Sequence, residues 1–292
     1  MPLSHLLLAL AVVAVWGTNF VVIKVGLHDM PPLLFATLRF VLSALPFLLF
    51  VKRPAVAWRH LVSYGLFMGL QFALLYLAMR QDLSPGLASL LMQSQVFMTL
   101  LLVALLQHER MALPQLAALA LATLGFVLIG WQSFDQSHAD VTPLGLGLAL
   151  SGAGAWAGAN LISRSIGKVD MLGFIVWSSL FAIPPLLACV LWIEGPASIA
   201  ATLPHISAAA WAAVAWQALG NTLFGFGAWG WLLARHPAAT ITPMALLIPI
   251  FGMGASSLLL GEALQSWKLA ATALVIGGLA LNVLASRMSR KS

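Results

Sequence analysis

Long apolar runs alternate with short polar breaks along almost the whole chain, and each run is about 20 residues, the length of helix that crosses the hydrocarbon core of a bilayer. The pattern predicts ten helical segments: Leu3 to Val25, Pro32 to Val51, Leu61 to Met79, Pro85 to Leu106, Leu113 to Trp131, Pro143 to Ser163, Met171 to Ile193, Ala208 to Leu233, Ala238 to Leu260 and Trp267 to Ala285. The breaks Met30-Pro31-Pro32, Asp82-Leu83-Ser84-Pro85 and His236-Pro237 are turn signals. Gln132 to Thr142 is the longest polar stretch and falls near the middle. The expected organisation is therefore all-α and membrane-embedded. Residues 1–132 form a first five-helix unit, 133–142 a periplasmic linker loop, and 143–292 a second five-helix unit.

Composition agrees with burial in lipid. Of 292 residues, 61% are hydrophobic and 8% charged, against roughly 25% charged in a soluble domain. So few charges cannot cover a water-facing surface, and lipid is the expected partner of the outer face. The formal net charge of +6 would suggest nucleic acid in a soluble protein. Here it has a simpler source. Lys52, Arg53, Arg59, Arg110, Arg164, Lys168, Arg235, Arg287, Arg290 and Lys291 fall on one side of the ten segments, and only Lys24, Arg80 and Lys268 on the other. The richer side is expected to be cytoplasmic, which places both termini inside a bacterial cell. Met1 to His5 holds no Lys or Arg before the first apolar run, so that run is expected to be a retained helix. Cys189 is the single cysteine, which excludes an internal disulfide and a cysteine-based metal site.

The two units echo each other. Trp16-Gly17-Thr18-Asn19 in the first segment has a counterpart in Trp156-Ala157-Gly158-Ala159-Asn160 in the sixth. Val96-Phe97 followed by Glu109 repeats, at the same spacing, as Pro249-Ile250-Phe251 followed by Glu262. Five spans per copy is an odd number, so the second copy is expected to run inverted, a design of secondary transporters whose substrate site lies where the halves meet. The same residues resemble the drug/metabolite transporter superfamily, in particular its EamA family. Trp16 to Lys24, Leu38-Arg39-Phe40, Gly86 to Leu90 with Gln93-Ser94-Gln95, Gly225 to Gly230 and Pro243 to Pro249 carry the likeness, which runs along nearly the whole chain. It implies ten helices in two inverted halves and export from cytoplasm to periplasm. One departure is Val96, where the family often has proline; Pro249 keeps that feature in the ninth segment.

Polar residues at membrane depth are costly and each needs a reason. Trp16 with Asn19, and Trp156 with Asn160, put an aromatic and an amide on one helix face. They could hold a zwitterion, or bind helix to helix with Gly154 and Gly158 allowing close approach. Arg39 lies about 10 Å below the outer end of its segment, and its repeat position falls at Ser178 or a neighbour. It reads either as a counter-charge for a substrate carboxylate or as a side chain that snorkels or ties helices through backbone carbonyls. Gln71, Gln93, Gln217 and Asn221 complete the candidate pathway, with Gln93 beside Ser89 and Gln95 beside Thr99. Tyr76 and Trp177 are candidate cavity walls, although interfacial anchoring is the commoner fate of such residues.

These residues favour a secondary exporter of amino acids and related small neutral or zwitterionic metabolites, working by alternating access. A phosphorylated sugar would need several buried Lys or Arg, and only Arg39 is available. The other readings left open are a passive channel or facilitator, and an exporter of other small metabolites or drugs. An enzyme is not expected, because no nucleophile with its base and no cluster of metal ligands falls inside a segment. Nothing calls for a cofactor, a nucleic acid or a protein partner. All Asp, Glu and His fall in loops or at segment ends, so transport is expected to follow the substrate gradient, unless Glu109 or Glu262 reaches the pathway in one conformation.

Overall fold

The structure is a computed structural model, and it describes residues 1–107, 111–134, 140–167 and 169–288. It is helical throughout. The first half contains α1 (Leu3–Asp29), α2 (Pro32–Ala44), α3 (Trp58–Arg80), α4 (Pro85–Leu91), α5 (Ser94–Gln107) and α6 (Leu113–Gln132). The second contains α7 (Pro143–Ser165), α8 (Met171–Cys189), α9 (Pro196–Thr202), α10 (Ala208–Trp216), α11 (Gly225–Arg235), α12 (Ala238–Ile241), α13 (Ile248–Leu260) and α14 (Ser266–Met288). Glu109, Arg110, Lys168, Arg290 and Lys291 lie outside the described residues, as do residues 135–139 of the expected linker.

Among the described residues, seven helices are long and apolar enough to cross a membrane, which makes this an integral membrane protein. Three expected segments fall short of that measure for different reasons. α2 stops after 13 residues and continues to Phe50 as turns. α7 has the length, but its glycines, Trp156 and Asn160 make it less apolar. The helix over Ala208–Arg235 makes a 105° angle with the preceding Pro196–His205 stretch. Apolar side chains left bare, such as Leu49, Trp192 and Leu258, belong to the outward surface, where lipid rather than water suits them.

Three segments depart from regular helix near the centre. The fourth breaks at Met92–Gln93, where Gln93, Gln95 and Val96 donate to carbonyls three residues back. This interruption arises without a proline, a few residues before Val96. The eighth widens into a π turn over Gln217–Phe224. The ninth tightens into a 3₁₀ turn over Thr242–Leu247 just before Pro249.

Alternate connections meet at the same end of the bundle. Arg80 donates to the Leu27 carbonyl at 2.8 Å, the Ser84 N–H to the Asp140 carbonyl at 2.9 Å, and Thr142 to the Gln81 carbonyl at 2.9 Å. Two glutamates from the second half cap helices of the first. Glu194 accepts from the N–H groups of Leu33 and Leu34 at 2.7 and 3.0 Å, satisfying orphan donors at the start of α2. Glu262 accepts from Ser84 at 2.6 Å and the Gly86 N–H at 3.0 Å at the start of α4, and also from Ser256 and from Lys268 at 2.9 Å. Burial pushes the Glu262 carboxyl up, but the bonds from Lys268, Ser256 and Ser84 together with the Lys268 charge outweigh it and hold the group below its ordinary value. At the opposite end, His5 and His236 share a 2.7 Å hydrogen bond, and the Trp177 indole donates to the Val51 carbonyl at 3.0 Å.

Candidate functional site

The π turn builds the centre of the site. Its backbone bonds reach five residues back, which leaves local carbonyls short of partners, and the Trp16 indole donates to the Asn221 carbonyl at 3.1 Å. Gly225 makes this approach possible, because a Cβ there would collide with the Trp16 ring. One turn along α1, Asn19 accepts from Gln217 Nε2 at 2.7 Å and returns a longer bond of 3.5 Å to its oxygen. Thr222 donates to the Gln217 carbonyl at 2.8 Å and accepts from Arg39 at 2.6 Å. The bonds of Trp16, Asn19 and Arg39 each join an element of the first half to an element of the second.

These contacts frame a cavity of about 60 Å³ lined by Trp16, Asn19, Gln71, Gln93, Trp156 and Asn221 together with apolar side chains. A smaller chamber of about 10 Å³ lies beside it, bordered by Arg39 and Ser178, and the two share Met68, Phe72 and Phe226. Arg39 is 1% exposed, and its guanidinium carbon sits 3.5 Å from the centre of the Phe72 ring.

The remaining sequence candidates sit elsewhere. Gln217 is fully buried behind Asn19 and orients it without touching the cavity. Tyr76 is buried between Phe35 and Phe72, a ring behind the wall. Trp177 packs edge-on against Trp58 and anchors the connection after α2. Asn160 donates to Gln95 at 2.6 Å and Thr99 at 3.2 Å and so clasps α7 to α5, away from the cavity lining. The two Trp/Asn pairs thus have different environments. Three residues separate Trp16 from Asn19 and four separate Trp156 from Asn160, and one residue turns a helix by about 100°. Sequence reading missed Phe20, Met68, Phe72, Leu75, Met92, Phe226 and Ile248, which carry no signal that separates a cavity wall from a lipid-facing or packed position.

A mostly neutral, aromatic cavity within a membrane-spanning bundle suits a small-molecule ligand. The EamA-like transporter family model matches residues 3–131 and again 143–284, and the chain belongs to that family. It is 40% identical over 288 residues to a Salmonella typhimurium protein described as a "Probable amino-acid metabolite efflux pump", covering 97% of this chain and 96% of the relative. An Escherichia coli protein with the same description is 39% identical over 285 residues, covering 96% and 95%. A "Probable terminal-alkyne amino-acid exporter" of Streptantibioticus cattleyicolor is 26% identical over 291 residues, covering 96% of this chain and 94% of the relative. A solved crystal structure 18% identical shares the fold with a TM-score of 0.63, over 97% of this chain and 99% of that one.

Proposed function

We propose that this protein is a secondary exporter that carries amino acids and related small neutral or zwitterionic metabolites from cytoplasm to periplasm. The cavity is the observation that carries this reading. It offers neutral amides and tryptophan faces, with one buried cation beside it. A zwitterion needs that balance, because its own charges cancel and its side chain is served by an apolar wall. The relatives described as amino-acid efflux pumps and exporters support the substrate class.

The mechanism proposed is alternating access around this cavity by ten spans in two inverted halves, 1–132 and 143–292, with residues 133–142 as a periplasmic linker. Helix packing supports the repeat. α1 packs on α10, α11 and the π turn of the eighth segment, and α7, its counterpart, packs on α3 of the third. The pairing of α1 with α13 is likewise answered by the pairing of α7 with α5. The test is transport by purified protein in proteoliposomes loaded with labelled L-amino acids. Saturable efflux with counterflow is expected, because a carrier exchanges bound substrate across the membrane. Non-saturating flux without counterflow would replace the carrier by a pore. Flux is also expected to follow the substrate gradient alone, and accumulation driven by an imposed pH gradient would reveal a proton site.

In the proposed arrangement the carrier lies in a bacterial inner membrane, and the Lys and Arg asymmetry supports a cytoplasmic position for both termini. A cysteine introduced at the exposed Ala55, in a Cys189→Ser background, is therefore expected to react only with reagent that has crossed the membrane. Labelling of intact cells by an impermeant maleimide would reverse the orientation.

A further inference from the structure

We propose that the chamber between Arg39 and Ser178 is the carboxylate subsite of the transport pathway, taking the α-carboxylate of an amino acid whose ammonium group occupies the amide-lined cavity next to it. The inference rests on the amino-acid reading above and assigns its charge recognition to particular residues.

Arg39 Nη2 donates to Thr222, and among the described residues Nε and Nη1 make no hydrogen bond. At 1% exposure the side chain does not reach the bilayer surface, so it does not snorkel. It also gives no bond to a backbone carbonyl, and no carboxylate of the described chain pairs with it. Phe72 at 3.5 Å and Phe40 at 5.1 Å stabilise the cation through their ring faces, and the buried Tyr76 hydroxyl lies within electrostatic reach of it without completing a hydrogen bond to Nε or Nη1. Ser178, also 1% exposed, borders the same chamber with an unpartnered hydroxyl. Buried donors are rarely left unmade in a native protein, and here three of them border one chamber. A guanidinium and a hydroxyl bordering one chamber suit a carboxylate, which accepts charge-assisted bonds from the guanidinium N–H groups and a further bond from the hydroxyl.

The neighbouring cavity has the opposite polarity. Gln71 is 2% exposed, and its Oε1 has no partner among the described residues. Gln71 borders the cavity just where Phe72, the next residue, walls both spaces. Unmet donors in one chamber and an unmet acceptor in the next reproduce the charge order of an α-amino acid.

The experiment compares, in proteoliposomes, uptake of radiolabelled L-alanine, L-threonine, L-leucine and L-phenylalanine with uptake of their amides, which keep the ammonium and lack the carboxylate. For the acids that the parent protein carries, Arg39→Gln is expected to raise the half-saturating concentration about 10- to 100-fold and to leave the amides unchanged. Ser178→Ala removes a hydroxyl without removing a charge. It is expected to show the same discrimination at about 3- to 10-fold, and it decides the matter if Arg39→Gln does not fold. Equal losses for acid and amide in a folded variant would overturn the subsite and leave the amino-acid reading standing. Failure of the parent protein to carry any of the four acids would remove that reading and the subsite together.

Discussion

Lys268→Met is expected to unfold far more easily than the parent protein at neutral pH, by about 3–5 kcal/mol, the usual cost of removing one partner from a buried ion pair. Lys268 is fully buried, with its Nζ 2.9 Å from Glu262, 3.0 Å from Asp140 and 3.1 Å from the Ala263 carbonyl. Asp140, with 27% of its side chain exposed, can recover water when the ammonium is removed, whereas Glu262 at 6% cannot. The pH dependence gives the sign. With Lys268 present the folded-state Glu262 carboxyl lies below its ordinary value. Its contribution to stability is therefore complete above the ordinary carboxylate range and is lost as pH falls through the depressed value. In the variant the ammonium is gone and burial dominates, so the carboxyl rises and protonation relieves it. The gap in melting temperature between variant and parent should accordingly narrow from pH 7 to pH 4.5 in detergent solution. A constant gap, or none, would show that the ion pair does not hold this end of the bundle.

Gly17→Val should be strongly damaging near the cavity although it removes no polar group. A Cβ at Gly17 would stand 2.5 Å from Phe251 Cβ and 2.6 Å from the Ile248 carbonyl oxygen. The second contact is the harder to relieve, because a backbone atom cannot swing aside as a side-chain tip can. Across the crossing, a Cβ at Gly252 would meet Ser89 Cβ and Oγ at 2.5 Å, so α1, α4 and α13 converge on two glycines. Overpacking of this kind costs about 1–3 kcal/mol, and more where backbone must move. It also displaces Trp16 and Asn19, which flank the crossing and line the cavity. Loss of both thermal stability and transport is expected. Gly147→Val is the control, since nothing lies within 4 Å of its Cβ position, and it should change stability by less than about 0.5 kcal/mol. Equal effects of the two substitutions would mean that helix propensity, rather than the close crossing, sets the cost.

Lipid solvation makes much of this protein legible from its sequence. Each apolar run had to be a helix, since a backbone in hydrocarbon must satisfy its own hydrogen bonds, and among the described residues seven of the ten expected segments hold a helix long and apolar enough to span. The membrane class followed from the apolar runs, the transporter family from the motifs that resemble it, and the candidate site from residues whose type is costly at depth. Arg39, the amides and the Trp/Asn pairs stood out for that reason, and Trp16, Asn19, Gln71, Gln93, Trp156 and Asn221 meet around one cavity. What the sequence did not reveal depends on helix rotation and on local winding. The π turn at Gln217–Phe224 and the unprolined break at Met92–Gln93 turn amides toward the centre without any residue that announces them. One residue of spacing sends Asn160 to Gln95 instead of the cavity, and Glu262 finds Ser84 and Lys268 only once the helix ends are brought together. Composition and periodicity determine which segments enter the membrane, because transfer free energy acts on each residue largely by itself. Which side chains face one another is decided by packing between helices, a property of pairs distant in sequence that only the tertiary structure contains.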